Sequence, residues 1–109
     1  GIPNGYCVFD KKKVELARTL IADPKILLLD EPAAGLNNEE TAELDEILLS
    51  IKNKGITILL VEHDMNLVMR ISDLVTVMNF GKFVASGKPE EISQNPEVIK
   101  AYLGSSYGT

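Results

Sequence analysis

A chain of 109 residues with a formal charge of −5, 45% hydrophobic and 25% charged residues and no tryptophan has the balance of a globular domain. The acidic excess argues against nucleic acid as the main partner, and the one basic run, Lys11-Lys12-Lys13, reads as a solvated helix start. A single cysteine, Cys7, excludes an internal disulfide and a multi-cysteine metal site, and no apolar run approaches the ~20 residues of a membrane span.

In chain order, Gly1 to Asp10 lack periodicity, and residues 1–11 are expected to be irregular. A helix is expected from about Lys12 to Ala22, with Val14, Ala17 and Ile21 on one face, Leu16 and Leu20 on a neighbouring one, and Pro24 as its stop. Ile26-Leu27-Leu28-Leu29 is continuously apolar, which predicts a strand buried on both faces. Asn37, with Glu40 three residues on, predicts the cap of a second helix. Its apolar stripe is Leu44, Ile47, Leu48 and Ile51, and Gly55 is its expected left-handed end. Ile56 to Val61 is a second strand, followed by a short helix from Asp64 to about Ile71 with Leu67, Val68 and Ile71 inward. Leu74–Met78 and Lys82–Ser86 are strands joined at Asn79-Phe80-Gly81. Two small helices follow, opened by Lys88-Pro89 and Asn95-Pro96, the second ending at Leu103-Gly104 before a frayed tail at 105–109. Strands alternating with helices predict an α/β layered fold with a mainly parallel sheet, here one partial domain over residues 1–109.

Ligands of such sheets sit at the carboxyl ends of the strands, and two strands here end in polar residues. The first delivers Asp30 and Glu31 together. Side chains alternate along a strand, so one acid can hold Mg²⁺ while the other faces an attacking water. The pair also reads simply as an acidic strand end before Pro32. The second strand ends Glu62-His63-Asp64. His63, the sole histidine, is either a structural residue or a hydrogen-bonding partner for a phosphate or water at the same sheet edge. Asp64 reads as a helix cap.

Leu27-Leu28-Leu29-Asp30-Glu31-Pro32 resembles the Walker B motif of ABC ATPases, Ala34-Gly35-Leu36-Asn37 the D-loop, and the strand ending in Glu62-His63 the switch strand. Glu15-Leu16-Ala17-Arg18 with Thr19-Leu20 resembles the helix after the ABC signature, so the likeness runs from about Val14 to Gly104. Asp30 to Asn37, Glu62-His63-Asp64-Met65 and the ending Asn95 to Gly104 resemble the ATP-binding subunits of branched-chain amino-acid importers. Lipopolysaccharide-export ATPases share that ending style. The resemblance implies a P-loop-NTPase-like fold, ATP and Mg²⁺ as ligands, and an ATPase working with transmembrane permease subunits and a second ATPase subunit at the cytoplasmic face of the membrane. It implies Mg²⁺ held by Asp30 through water, Glu31 polarising the attacking water and His63 contacting the γ-phosphate. Ala34, Gly35, Leu36 and Asn37 would signal across a head-to-tail dimer.

The sequence departs from that family in two places. No Gly-x-x-x-x-Gly-Lys-[Ser/Thr] phosphate loop occurs in the 109 residues, since Phe83 and Pro89 follow the two Gly-Lys pairs. The position of the signature is held by Tyr6-Cys7-Val8-Phe9-Asp10, where Phe9 replaces a glycine and is expected to block close approach to a partner's phosphate. The phosphate-loop strand is thus expected to be missing beside Ile56–Val61, leaving an edge through which the chain pairs as a homodimer or a strand-swapped dimer, or which Leu74–Met78 moves across to fill. The 109 residues alone are expected to be inactive. Three readings stand: part of a transport ATPase, a non-catalytic remnant or interaction module, or an ABC-type ATPase of another class.

Overall fold

The computed structural model describes residues 8–103. The expectations for Gly1–Cys7, for the helix end at Gly104 and for the tail lie outside them. Contacts gather the chain into two compact units, one up to His63 and one from Asp64.

The first unit begins with helix α1, Val8–Ile21, which starts inside the stretch expected to be irregular. Its buried residues are Phe9 and Leu16, seven apart and so on one face. Val14, Ala17 and Ile21, the expected inner face, are exposed. A ring at Phe9 buries more apolar surface than those side chains can, and this anchors an extra turn for which the apolar spacing gives no sign. The Lys13 ammonium stands 4.5 Å over the Phe9 ring and 3.3 Å from Glu43, tying one lysine of the basic run to the next helix in the chain. After α1 the backbone takes a left-handed turn at Asp23 (φ 53°), immediately before Pro24.

Strand β1, Ile26–Asp30, leads through a loop to α2, Asn38–Asn53, and then to β2, Thr57–Val61. The two strands pair in parallel, as the helix between them allows, with Leu28 opposite Leu59 and Asp30 opposite Val61. The α2 cap is the expected capping box. The Asn37 side chain accepts from the Glu40 amide at 2.8 Å, and the Glu40 carboxylate accepts from the Asn37 amide at 3.0 Å. Gly55, at φ 92°, ends the helix in the left-handed conformation that only glycine adopts at little cost. Leu44, Leu48 and Ile51 of α2 are buried with Leu16 and Leu27 in this unit's core, which leaves Ile47 half-buried beside them.

The expected burial of β1 and β2 on both faces does not hold. Leu27 is buried and Leu29, Ile58 and Leu60 are half-buried, but the opposite face is open, with Ile26 62%, Leu28 69%, Leu59 61% and Val61 56% exposed. Continuous apolar strands are the mark of a sheet covered on both sides, and in this chain one cover is absent among the described residues. Large open apolar patches and bare strand edges drive association. Sedimentation of the 109-residue chain is therefore expected to show concentration-dependent self-association, reduced in a Leu28→Lys/Leu59→Lys variant. A monomer at every concentration, or a variant that associates as strongly as the parent, contradicts this.

The second unit opens with α3, Met65–Ile71, whose cap is Asp64. Its side chain accepts from the Leu67 amide at 3.2 Å, and Leu67, Val68 and Ile71 are buried as expected. Strands β3, Val75–Asn79, and β4, Lys82–Gly87, form an antiparallel hairpin. Phe80 (φ 52°) and Gly81 (φ 75°) are both left-handed, the two-residue turn that matches strand twist. A register shift at Val77/Met78 leaves Val84 as the extra residue of a bulge. Among the described residues the mainly parallel sheet is thereby narrowed to one parallel pair and one hairpin, and the strand at Leu74–Met78 pairs with β4 instead of filling the edge beside β2. Helices α4, Pro89–Gln94, and α5, Pro96–Val98, each begin at a proline, and a π-helical turn, Ile99–Leu103, follows.

Candidate functional site

The site lies in the first unit, at the carboxyl ends of β1 and β2. Asp30 closes β1 on the open face of the pair and is exposed. Glu31 follows in a left-handed conformation (φ 49°), uncommon for a residue with a side chain. Two backbone bonds hold it there. Its amide donates to the Val61 carbonyl at 2.7 Å, and its carbonyl accepts from the Ala34 amide at 3.1 Å. The Leu36 amide bonds the Ala33 carbonyl at 3.1 Å, so the chain from Glu31 to Leu36 is a run of tight turns. Gly35, at φ 80°, completes it. A side chain there would be strained, and its Cβ would meet the Val8 methyl at 3.5 Å.

This turn brings the Glu31 carboxylate to His63. Oε1 of Glu31 is 3.9 Å from Nε2 of His63, with the two side chains 48% and 73% exposed. The separation is too long for a direct hydrogen bond and short enough for one water to bridge. Ala34, Gly35 and Asn37 lie exposed along the loop, Leu36 is half-buried, and the Asn37 carboxamide is engaged by the α2 cap. Phe9 is only 4% exposed, so its ring fills this chain's own core rather than standing out as an obstacle. Tyr6 and Cys7 lie outside the described residues.

One residue of the site has no role in the sequence reading. The Glu62 carboxylate accepts from the Ala33 amide at 3.0 Å through Oε2 and from the His63 amide at 2.9 Å through Oε1. The only sequence signal for it is an acid between an apolar strand and a histidine.

The chain is similar to known proteins over most of its length. The family model for the branched-chain amino acid ATP-binding cassette transporter matches residues 84–108. The high-affinity branched-chain amino acid transport ATP-binding protein LivG of Salmonella typhimurium is 56% identical over 96 residues, 87% of this chain and 38% of that protein. The chain belongs to the ATP-binding cassette family. BraF of Pseudomonas aeruginosa, also described as a high-affinity branched-chain amino acid transport ATP-binding protein, is 50% identical over 95 residues, 86% of this chain and 37% of its own length. The cassette MJ1267 of an ABC transporter, solved in its ADP conformation, is similar with a TM-score of 0.80 and 30% identity over 93% of this chain and 41% of that one. This cassette chain thus spans less than two fifths of the length of the curated relatives named.

Among the described residues no group of three or more His, Cys, Asp or Glu side chains could hold a metal ion. A dedicated protein cage is therefore not the fit. Mg²⁺ bound to nucleotide takes one or two carboxylates and completes its shell with phosphate oxygens and water, and the acid pair at the end of β1 suits that demand. No helix among the described residues is long and apolar enough to cross a membrane.

Proposed function

We propose that this chain supplies the Walker B, D-loop and switch-histidine part of the ATP-hydrolysing subunit of a branched-chain amino-acid importer. The observation that carries the reading is the 3.9 Å approach of the Glu31 carboxylate to the His63 imidazole at the carboxyl edge of the parallel pair. A carboxylate and an imidazole one water apart are what hydrolysis of a terminal phosphate needs from this edge. Glu31 accepts a hydrogen bond from the attacking water and draws its proton density, while His63 donates to a γ-phosphate oxygen. Asp30 would hold Mg²⁺ through water, and the ion supplies charge to offset that of the phosphates. Residues Ala34 to Asn37 run from the catalytic turn into the α2 cap, so a shift of the turn passes to the surface that meets a second ATPase subunit. Transmembrane permease subunits are the other partners of the complete assembly, which places it at the cytoplasmic face of the membrane.

The reading of a non-catalytic interaction module rests on the sequence between Gly1 and Thr109, which offers no loop of amides and no lysine to cradle β- and γ-phosphates. Two measurements separate the readings. Calorimetric titration of the 109-residue chain with Mg-ATP is expected to give no saturable heat. A chimaera is expected to hydrolyse ATP when the segment of the Salmonella typhimurium relative matching residues 24–64 is replaced by those residues of this chain. A chimaera that binds ATP without turning it over would leave the interaction module as the better account.

A further inference from the structure

We infer that Glu62 is a positioning residue of this site, a clamp that holds the turn bearing Glu31 and the peptide bearing His63 in one frame. The catalytic meaning of the clamp rests on the function proposed above, and the clamp itself rests on geometry. Backbone pairing of β1 with β2 ends at Asp30 opposite Val61, with one further bond from the Glu31 amide to the Val61 carbonyl. The next residue, Pro32, has no N–H, so the ladder cannot continue through it. The first backbone donor beyond the ladder is the amide of Ala33, a buried residue, and it is Glu62 that takes this donor. The other oxygen of the same carboxylate takes the His63 amide.

One side chain therefore ties two segments 29 residues apart at the point where the backbone stops doing so. Amide bonds to a carboxylate are charge-assisted and stronger than those to a neutral acceptor. Glu31 sits between the two ties, its amide on Val61 and Ala33 on Glu62, and this accounts for a glutamate kept at φ 49°. An acid that merely solvated a strand end would not have both oxygens bound to amides of different segments. Glutamine cannot replace it, because one oxygen would become an NH₂ facing an N–H. Aspartate is one methylene too short to span both amides.

Two experiments test the clamp. Amide hydrogen exchange in the 109-residue chain is expected to quicken at Ala33 and His63 by about tenfold or more in Glu62→Gln and Glu62→Ala, with amides of the α2 core unchanged. Unchanged exchange at both positions overturns the clamp. In the chimaera, Glu62→Gln is expected to lower kcat by about tenfold or more while KM for ATP stays within about twofold, the split expected when a group fails in the transition state but not in binding. Glu62→Asp is expected to recover none of that loss. Quickened exchange with an unchanged kcat overturns the positioning role. A parent chimaera with no hydrolysis sinks the proposed function and the catalytic consequence together, while the exchange result still judges the clamp.

Discussion

Glu31→Gln in the chimaera is expected to reduce ATP hydrolysis by about 10²–10⁴-fold, the usual contribution of a positioned general base, with ATP binding retained. The substitution isolates the carboxylate because the backbone at this position is held by bonds the side chain does not make. The Glu31 amide bonds Val61, its carbonyl bonds Ala34, and both survive the change. Glutamine has nearly the same volume and can keep the φ of 49°, so no turn needs to move. What is lost is an acceptor able to take proton density from a water. KM for ATP should stay close to the parent value if, as proposed, the carboxylate serves the water rather than the nucleotide. His63→Ala in the same background tests the other half of the pair and should also lower kcat. Hydrolysis by Glu31→Gln within about threefold of the parent would show that this acid is a strand-end residue and not the base.

The parts of this site written locally in the sequence were legible there. Asn37 and Glu40 form the capping box their spacing predicts, Asp64 caps α3, and Gly55 takes the left-handed end of α2. Each depends on atoms no more than four residues away, so the sequence carries the whole instruction. Acids and a histidine at strand ends likewise announce a shared edge once the two strands are taken as parallel neighbours. Other features depend on what lies across space. The helical turn around Val8 and Phe9 goes with the burial of Phe9, which no periodicity around it marks. The open face of β1 and β2 has no cover among the described residues, and an apolar run looks the same whether its cover is present or not. Glu62 bonds an amide 29 residues away, and nothing in its neighbours says that Pro32 has left Ala33 in need of an acceptor.

Leu48→Ala is expected to lower the stability of the first unit by about 2–5 kcal/mol, the range for truncating a fully buried leucine. Leu48 has no solvent exposure and lies on the same α2 face as Leu44, also fully buried, and Ile51. The loss combines the transfer of the removed methyl and methylene groups with a cavity that the surrounding core can only partly collapse to fill. Such a loss is a large share of the ~5–15 kcal/mol that stabilises an ordinary domain, and this unit, with one sheet face open, has less covering to draw on. Leu49→Ala is the matched control. It removes the same atoms one residue along, at a position 37% exposed, and should cost well under half as much. Urea unfolding of the 109-residue chain, read by a probe in the first unit, measures both. The consequence reaches the candidate site because α2 is where the loop from Glu31 to Asn37 ends. The capping box fixes that loop only while the helix is docked, so Leu48→Ala should also quicken amide exchange at Ala34 and Leu36. Equal costs for the two leucines would mean that the core does not sit on the α2 face identified by its buried residues.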